Sequence, residues 1–122
     1  MAPQRILIGS KNKSIIATIK EVAVDQEISI RTEQRIEDFL LNVQEQDYKA
    51  ILFDINMSCY EAIKTIRLIR RMRPKIPLIV LLNKIDKKSG GQILNEGVFH
   101  IILSPNKRNL AASLSAVLKI KN

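Results

Sequence analysis

The chain has 122 residues, 46% of them hydrophobic, and a formal net charge of +8. That length suits one domain around one hydrophobic core, expected over residues 1–122. No apolar run is long enough to span a membrane, residues 1–8 carry no signal-peptide pattern, and a single cysteine excludes an internal disulfide, so a reducing, cytoplasmic setting is expected.

Arg5–Ile8 (RILI) predicts a first strand, broken by Gly9 and Ser10. From Lys13 to Val24 the apolar residues Ile15, Ile16, Ile19, Val22 and Ala23 recur at helical spacing. Ile28–Arg31 predicts a short second strand. Thr32 is then a candidate cap for a helix with Ile36, Phe39, Leu40 and Val43 inward. Ala50–Phe53 is fully apolar and ends at Asp54, the pattern of a strand buried on both faces of a parallel sheet. Ser58 and Glu61 have the spacing of a capping box, which predicts a helix from about Cys59 with Ile63, Ile66 and Ile69 buried. Pro74 and Pro77 end it.

Leu78–Leu82 (LIVLL) is a second fully apolar strand. Asn83 to Glu96 predicts a weak helix, because Gly90 and Gly91 each cost about 1 kcal/mol in a helix interior, with Gly97 as its C-cap. Val98–Leu103 predicts a fifth strand. Asn106 is a candidate cap for a last helix with Leu110, Leu114, Val117 and Leu118 inward. Five β-α units with right-handed crossovers make an α/β, doubly wound, five-stranded parallel sheet with five helices. Helices one and five are expected on one face and helices two, three and four on the other. In such sheets the site lies beyond the carboxyl ends of the strands, where Asp54 stands.

Between Lys64 and Lys88 nine basic residues face one acid, Asp86, so this stretch alone carries the whole excess of positive charge. Lys64, Arg67 and Arg71 lie at i, i+3 and i+7, one stripe on the outer face of the third helix. Lys84, Lys87 and Lys88 would sit beside it. The patch is either a solvated face or a surface for an acidic partner or nucleic acid. No aromatic residues are interleaved, which weighs against single-strand binding. Asn83-Lys-Ile-Asp86 has the form of the guanine-specificity motif of GTPases. A phosphate-binding loop ending at Lys13-Ser14 would, however, need glycine where the chain has Leu7 and Asn12. One Cys and one His leave no set of zinc ligands. Cys59 is read as an inert thiol, and His100 as a surface or sheet-edge residue without an identifiable partner.

Taken together, these residues resemble the receiver domain of two-component response regulators, over essentially the whole chain. Asp54 falls where that family places its phosphate-accepting aspartate. Met57, Ile63, Ile66, Ile69-Arg70 and Pro77 follow at the family's spacing, and Gly97 and Ser104-Pro105 fall in register. The resemblance implies the flavodoxin-like strand order 2-1-3-4-5. It also implies the family's chemistry: phosphoryl transfer from a kinase histidine to the aspartate, with Mg²⁺ held by an acidic pair, the aspartate and a backbone carbonyl. A hydroxyl and a lysine hold the phosphoryl oxygens. Such transfer depends on positioning and on neutralising the equatorial oxygens.

The chain departs from that pattern at most of these positions. Ser10 and Lys11 replace the acidic pair, Leu82 the hydroxyl, Ser104 the lysine and Ile101 the switch aromatic; only Asp54 and the carbonyl position, Asn56, remain. No cofactor is expected: a site with one carboxylate does not hold Mg²⁺ tightly, and Lys11 would repel it. The reading is a non-enzymatic, degenerate pseudo-receiver that signals through protein contacts with a histidine kinase or an output protein. The alternatives are a receiver still phosphorylated on Asp54 and a basic nucleic-acid-binding module. Two arrangements of the crevice are open. Either Lys11 approaches Asp54 directly or through one water, or Lys11 extends into solvent and Ser10, Ser104 and water compensate the carboxylate.

Overall fold

A computed structural model of the protein describes residues 3–57, 62–83 and 87–120, with the side chains of residues 87 and 88 left out. Five parallel strands form one sheet in the order β2-β1-β3-β4-β5: β1 (Gln4–Gly9), β2 (Ile28–Glu33), β3 (Ala50–Asp54), β4 (Leu78–Leu82) and β5 (His100–Leu103). The helices between and after them are α1 (Lys13–Ala23), α2 (Ile36–Glu45), α3 (Ala62–Met72), α4 (Lys87–Leu94) and α5 (Lys107–Val117). Every residue of β3 and β4 is buried. That is what a strand covered by helices on both faces requires, and why these two segments contain so little polar chemistry.

The pleat sends alternate side chains to two cores. Ile6, Ile8, Leu52, Ile79 and Leu81 point toward Ile15 and Ile19 of α1 and Leu110 and Leu114 of α5. Leu7, Ile51, Phe53 and Val80 point the other way, toward Phe39 and Val43 of α2, Ile66 and Ile69 of α3 and Ile93 of α4. The division of helices between the faces is the expected one. In the second core the Phe39 and Phe53 rings stack at 5.6 Å. A Cβ on Gly9 would lie 2.6 Å from the Phe39 ring, so the end of β1 has room only for glycine.

Several boundaries differ from the sequence reading. Gly9 does not break the first strand: β1 runs Gln4–Gly9, and Gly9 pairs with Glu33 on one side and Phe53 on the other. Thr32 does not cap α2. It pairs with Ile8 in the ladder, which continues to Gly9 beside Glu33, and α2 starts after Arg35 with no side-chain cap. Strand pairing outcompetes the cap because the chain needs the extra residues to reach the crevice end of β1. The fifth strand starts at His100 rather than Val98, where its ladder with Ile79 begins, and the chain before it is held by the Phe99 N–H donating to the Leu78 carbonyl at 2.8 Å. The fourth helix, as described, covers Lys87–Leu94, and the chain leaves it through Gly97 at φ 78. The Asn106 cap holds, with its Oδ1 accepting from the Asn109 N–H at 2.8 Å. The Ser58–Glu61 capping box lies outside the described residues.

Candidate functional site

β3 delivers Asp54 to the carboxyl end of the sheet, yet the residue is only 3% exposed. A carboxylate removed from water needs donors of its own. The register that sets Gly9 beside Phe53 carries Ser10 alongside Asp54. The fully buried Ser10 donates its hydroxyl to Asp54 Oδ2 at 2.7 Å. The Asn56 N–H donates to Oδ1 at 3.1 Å. Ser10 Oγ in turn accepts from the Asn12 N–H at 3.0 Å. Asn12 is itself the N-cap of α1, its Oδ1 accepting from the N–H groups of Ser14 and Ile15. One continuous chain of hydrogen bonds therefore links the end of β3 to the start of α1.

The remaining crevice residues do not converge on the carboxylate. Lys11 is exposed and makes no ion pair with Asp54 among the described residues. The direct contact between them is thus corrected. A lysine on the rim keeps its hydration, while Ser10 already serves the oxygen it would have reached. Ser104 does not compensate Asp54 either. Its N–H donates to the Leu82 carbonyl at 2.6 Å and its hydroxyl to the Asn83 carbonyl at 3.3 Å. It holds the left-handed region at φ 52, which a non-glycine residue adopts at some cost. Leu82 is buried in the core and contributes no donor.

The sequence matches the response regulator receiver domain family over residues 6–115. The chain belongs to that family. Solved structures agree on the fold. A CheY-like response regulator receiver domain protein from Methanospirillum hungatei superposes with a TM-score of 0.83 at 20% identity, over 93% of this chain and 92% of that one. The chemotaxis protein CheY4 of Vibrio cholerae gives 0.81 at 18% identity, over 96% and 100%. A two-component response regulator from Clostridium difficile gives 0.83 at 22%, over 95% and 96%. Among curated proteins none matches the chain in sequence.

Among the described residues the crevice's donor set is a poor fit for Mg²⁺: one carboxylate with both oxygens already accepting, one neutral hydroxyl and a backbone carbonyl. Among the described residues no three His, Cys, Asp or Glu side chains gather anywhere. A hard dication wants several anionic or strongly dipolar oxygens at once. Ile101, at the switch position, is half-buried and packed against the α2–α3–α4 core.

The phosphate-binding-loop alternative fails on geometry. Leu7 lies inside β1, fully buried and paired with Arg31 and Ile51, so the chain is strand where a loop would have to cradle phosphate. Of the Asn83–Asp86 motif, residues 84–86 lie outside the described residues, as does Cys59. Three arginines of the basic stretch are engaged within this receiver. Arg67 Nε donates to Glu96 at 2.7 Å. Arg70 donates to the Ile76 and Pro74 carbonyls. Arg73 donates to the Val43 and Gln44 carbonyls and to Asp47. Lys64 and Arg71 are exposed on α3. Lys84 lies outside the described residues, and of Lys87 and Lys88 only the backbone, in the first turn of α4, is described. His100 does have a partner that sequence reasoning did not find. Its Nδ1 lies 2.6 Å from the hydroxyl of the buried Ser113, one helix away.

Proposed function

We propose that this response regulator receiver domain works in two-component signalling as a pseudo-receiver, through contacts with a histidine kinase or an output protein and without Mg²⁺-dependent phosphorylation of Asp54. The observation that supports this reading is the state of the carboxylate. Both oxygens are engaged by the chain itself, one by Ser10 and one by the Asn56 N–H. The neighbours at the hydroxyl and lysine positions are a buried leucine and a serine bonded elsewhere. Among the described residues no cation is paired with Asp54 that could balance the oxygens of a phosphoryl group there. No enzymatic role is assigned.

The test is phosphorylation itself. Treatment with a small phosphodonor in millimolar Mg²⁺ is expected to leave the intact mass unchanged, and Mg²⁺ alone to leave the amide NMR signals around Asp54 in place. A stoichiometric mass increase on Asp54, or shifts there that saturate with Mg²⁺, would show a phosphorylated receiver instead.

A further inference from the structure

We propose that the α2–α3 face joins two copies of this chain, about a two-fold axis running along the groove between the two helices. The groove, about 560 Å³, is lined by Glu37, Leu40, Leu41, Gln44, Leu68 and Met72. Leu41 and Leu68 are 50% and 44% exposed, so each wall presents a large apolar side chain to water at its middle. Each leucine is flanked by charge at helical spacing, and the two walls have opposite sign. On α2 the outward line is Glu37, Leu41, Glu45. On α3 it is Lys64, Leu68, Arg71. The charged ends are about 12 Å apart along α2 and about 10.5 Å along α3.

The symmetry follows from the sign pattern. α2 leads into β3 and α3 into β4, which lie parallel, so both helices run the same way. Rotation by a half-turn about the groove exchanges the walls. It lays α2 of one copy on α3 of the other, acid against base and leucine against leucine. The other two-fold, across the groove, sets α2 on α2 and α3 on α3 and opposes like charges. Charge therefore selects the first arrangement. Glu45 and Arg71 are both exposed and have no partner within the chain among the described residues. Glu37 makes only a loose 3.8 Å contact with Arg35. Arg73, spanning from the end of α3 to the end of α2, holds the two walls together. The net charge of +8 on each copy opposes association, so the dimer is a weak one that forms at high concentration. Nothing in this arrangement depends on the state of Asp54.

Sedimentation equilibrium of the full chain at physiological ionic strength, up to millimolar protein, is expected to show a concentration-dependent dimer. Glu45→Arg alone and Arg71→Glu alone should each weaken it about tenfold or more, with the helical circular dichroism unchanged. An equimolar mixture of the two variants should recover the dimer. In the mixed pair one half of the interface keeps its original charges and the other carries them inverted. A chain that stays monomeric throughout, a dimer that survives both reversals, or a mixture that remains monomeric would each overturn the proposal.

Discussion

Asp54 and Ser10 show how one residue can decide the character of a crevice. A second carboxylate at position 10 would repel Asp54 and call for a cation between them. A serine instead donates, and so stabilises the buried charge without one. Ser10→Ala is therefore expected to do double damage. It leaves Asp54 Oδ2 without its donor and the Asn12 N–H without its acceptor, just below the first turn of α1. The expected loss is roughly 2 kcal/mol of unfolding free energy, measured by urea denaturation at neutral pH. A change within a few tenths of a kcal/mol would mean that water replaces the hydroxyl at no cost. Asp54 was legible in the sequence because a charge ending an apolar run must sit at a strand end. Its partner was not, since Ser10 and Lys11 are adjacent in the chain and only the β1–β3 register says which of them lies beside the carboxylate.

Between elements, the chain's arginines act as connectors. α2 ends at Glu45 without a basic residue in its last turn, so its terminal carbonyls need donors from elsewhere. Arg73, beyond the end of α3, supplies them: Nε to the Val43 carbonyl at 2.8 Å and Nη2 to the Gln44 carbonyl at 2.9 Å, with Asp47 on the third nitrogen. A cation at a helix C-terminus also opposes the helix dipole favourably. Arg73→Ala is expected to cost about 1.5–3 kcal/mol in chemical denaturation. Arg73→Lys should recover little of it, because an ammonium cannot reach three acceptors in one plane. Full recovery by lysine would reduce the role of Arg73 to charge alone. In the sequence Arg73 is one more member of a basic run. Nothing local marks it as a cap for a helix some thirty residues earlier.

For the molecule as a whole, the question is what an excess charge of +8 is for. The sequence concentrates it between residues 64 and 88, which suggests a binding face. The fold then engages Arg67 with Glu96 at the surface, Arg70 with loop carbonyls and Arg73 with the end of α2. Among the described residues, Lys64 and Arg71 stay exposed on α3. Duplex DNA at physiological salt is accordingly expected to bind no tighter than the non-specific range, about 10⁻⁴ to 10⁻⁶ M, and without sequence preference. Fluorescence anisotropy on two unrelated duplexes measures both. Nanomolar, sequence-selective binding would restore the nucleic-acid reading.

Sequence alone determined the class of fold, the order of its elements and the place of Asp54. Those depend on hydrophobic period, which is a local pattern repeated along the chain and reinforced at every β-α unit. The two solid apolar strands could belong only to the middle of a sheet covered on both sides. Tertiary structure alone decided the partners: Ser10 rather than Lys11 for Asp54, ladder pairing rather than capping for Thr32, Ser113 for His100, and a helix end for Arg73. A hydrogen bond is satisfied by whichever group lies within about 3 Å with the right direction, and distance in space between residues far apart in the chain is set by register and packing, not by the identity of neighbours in sequence.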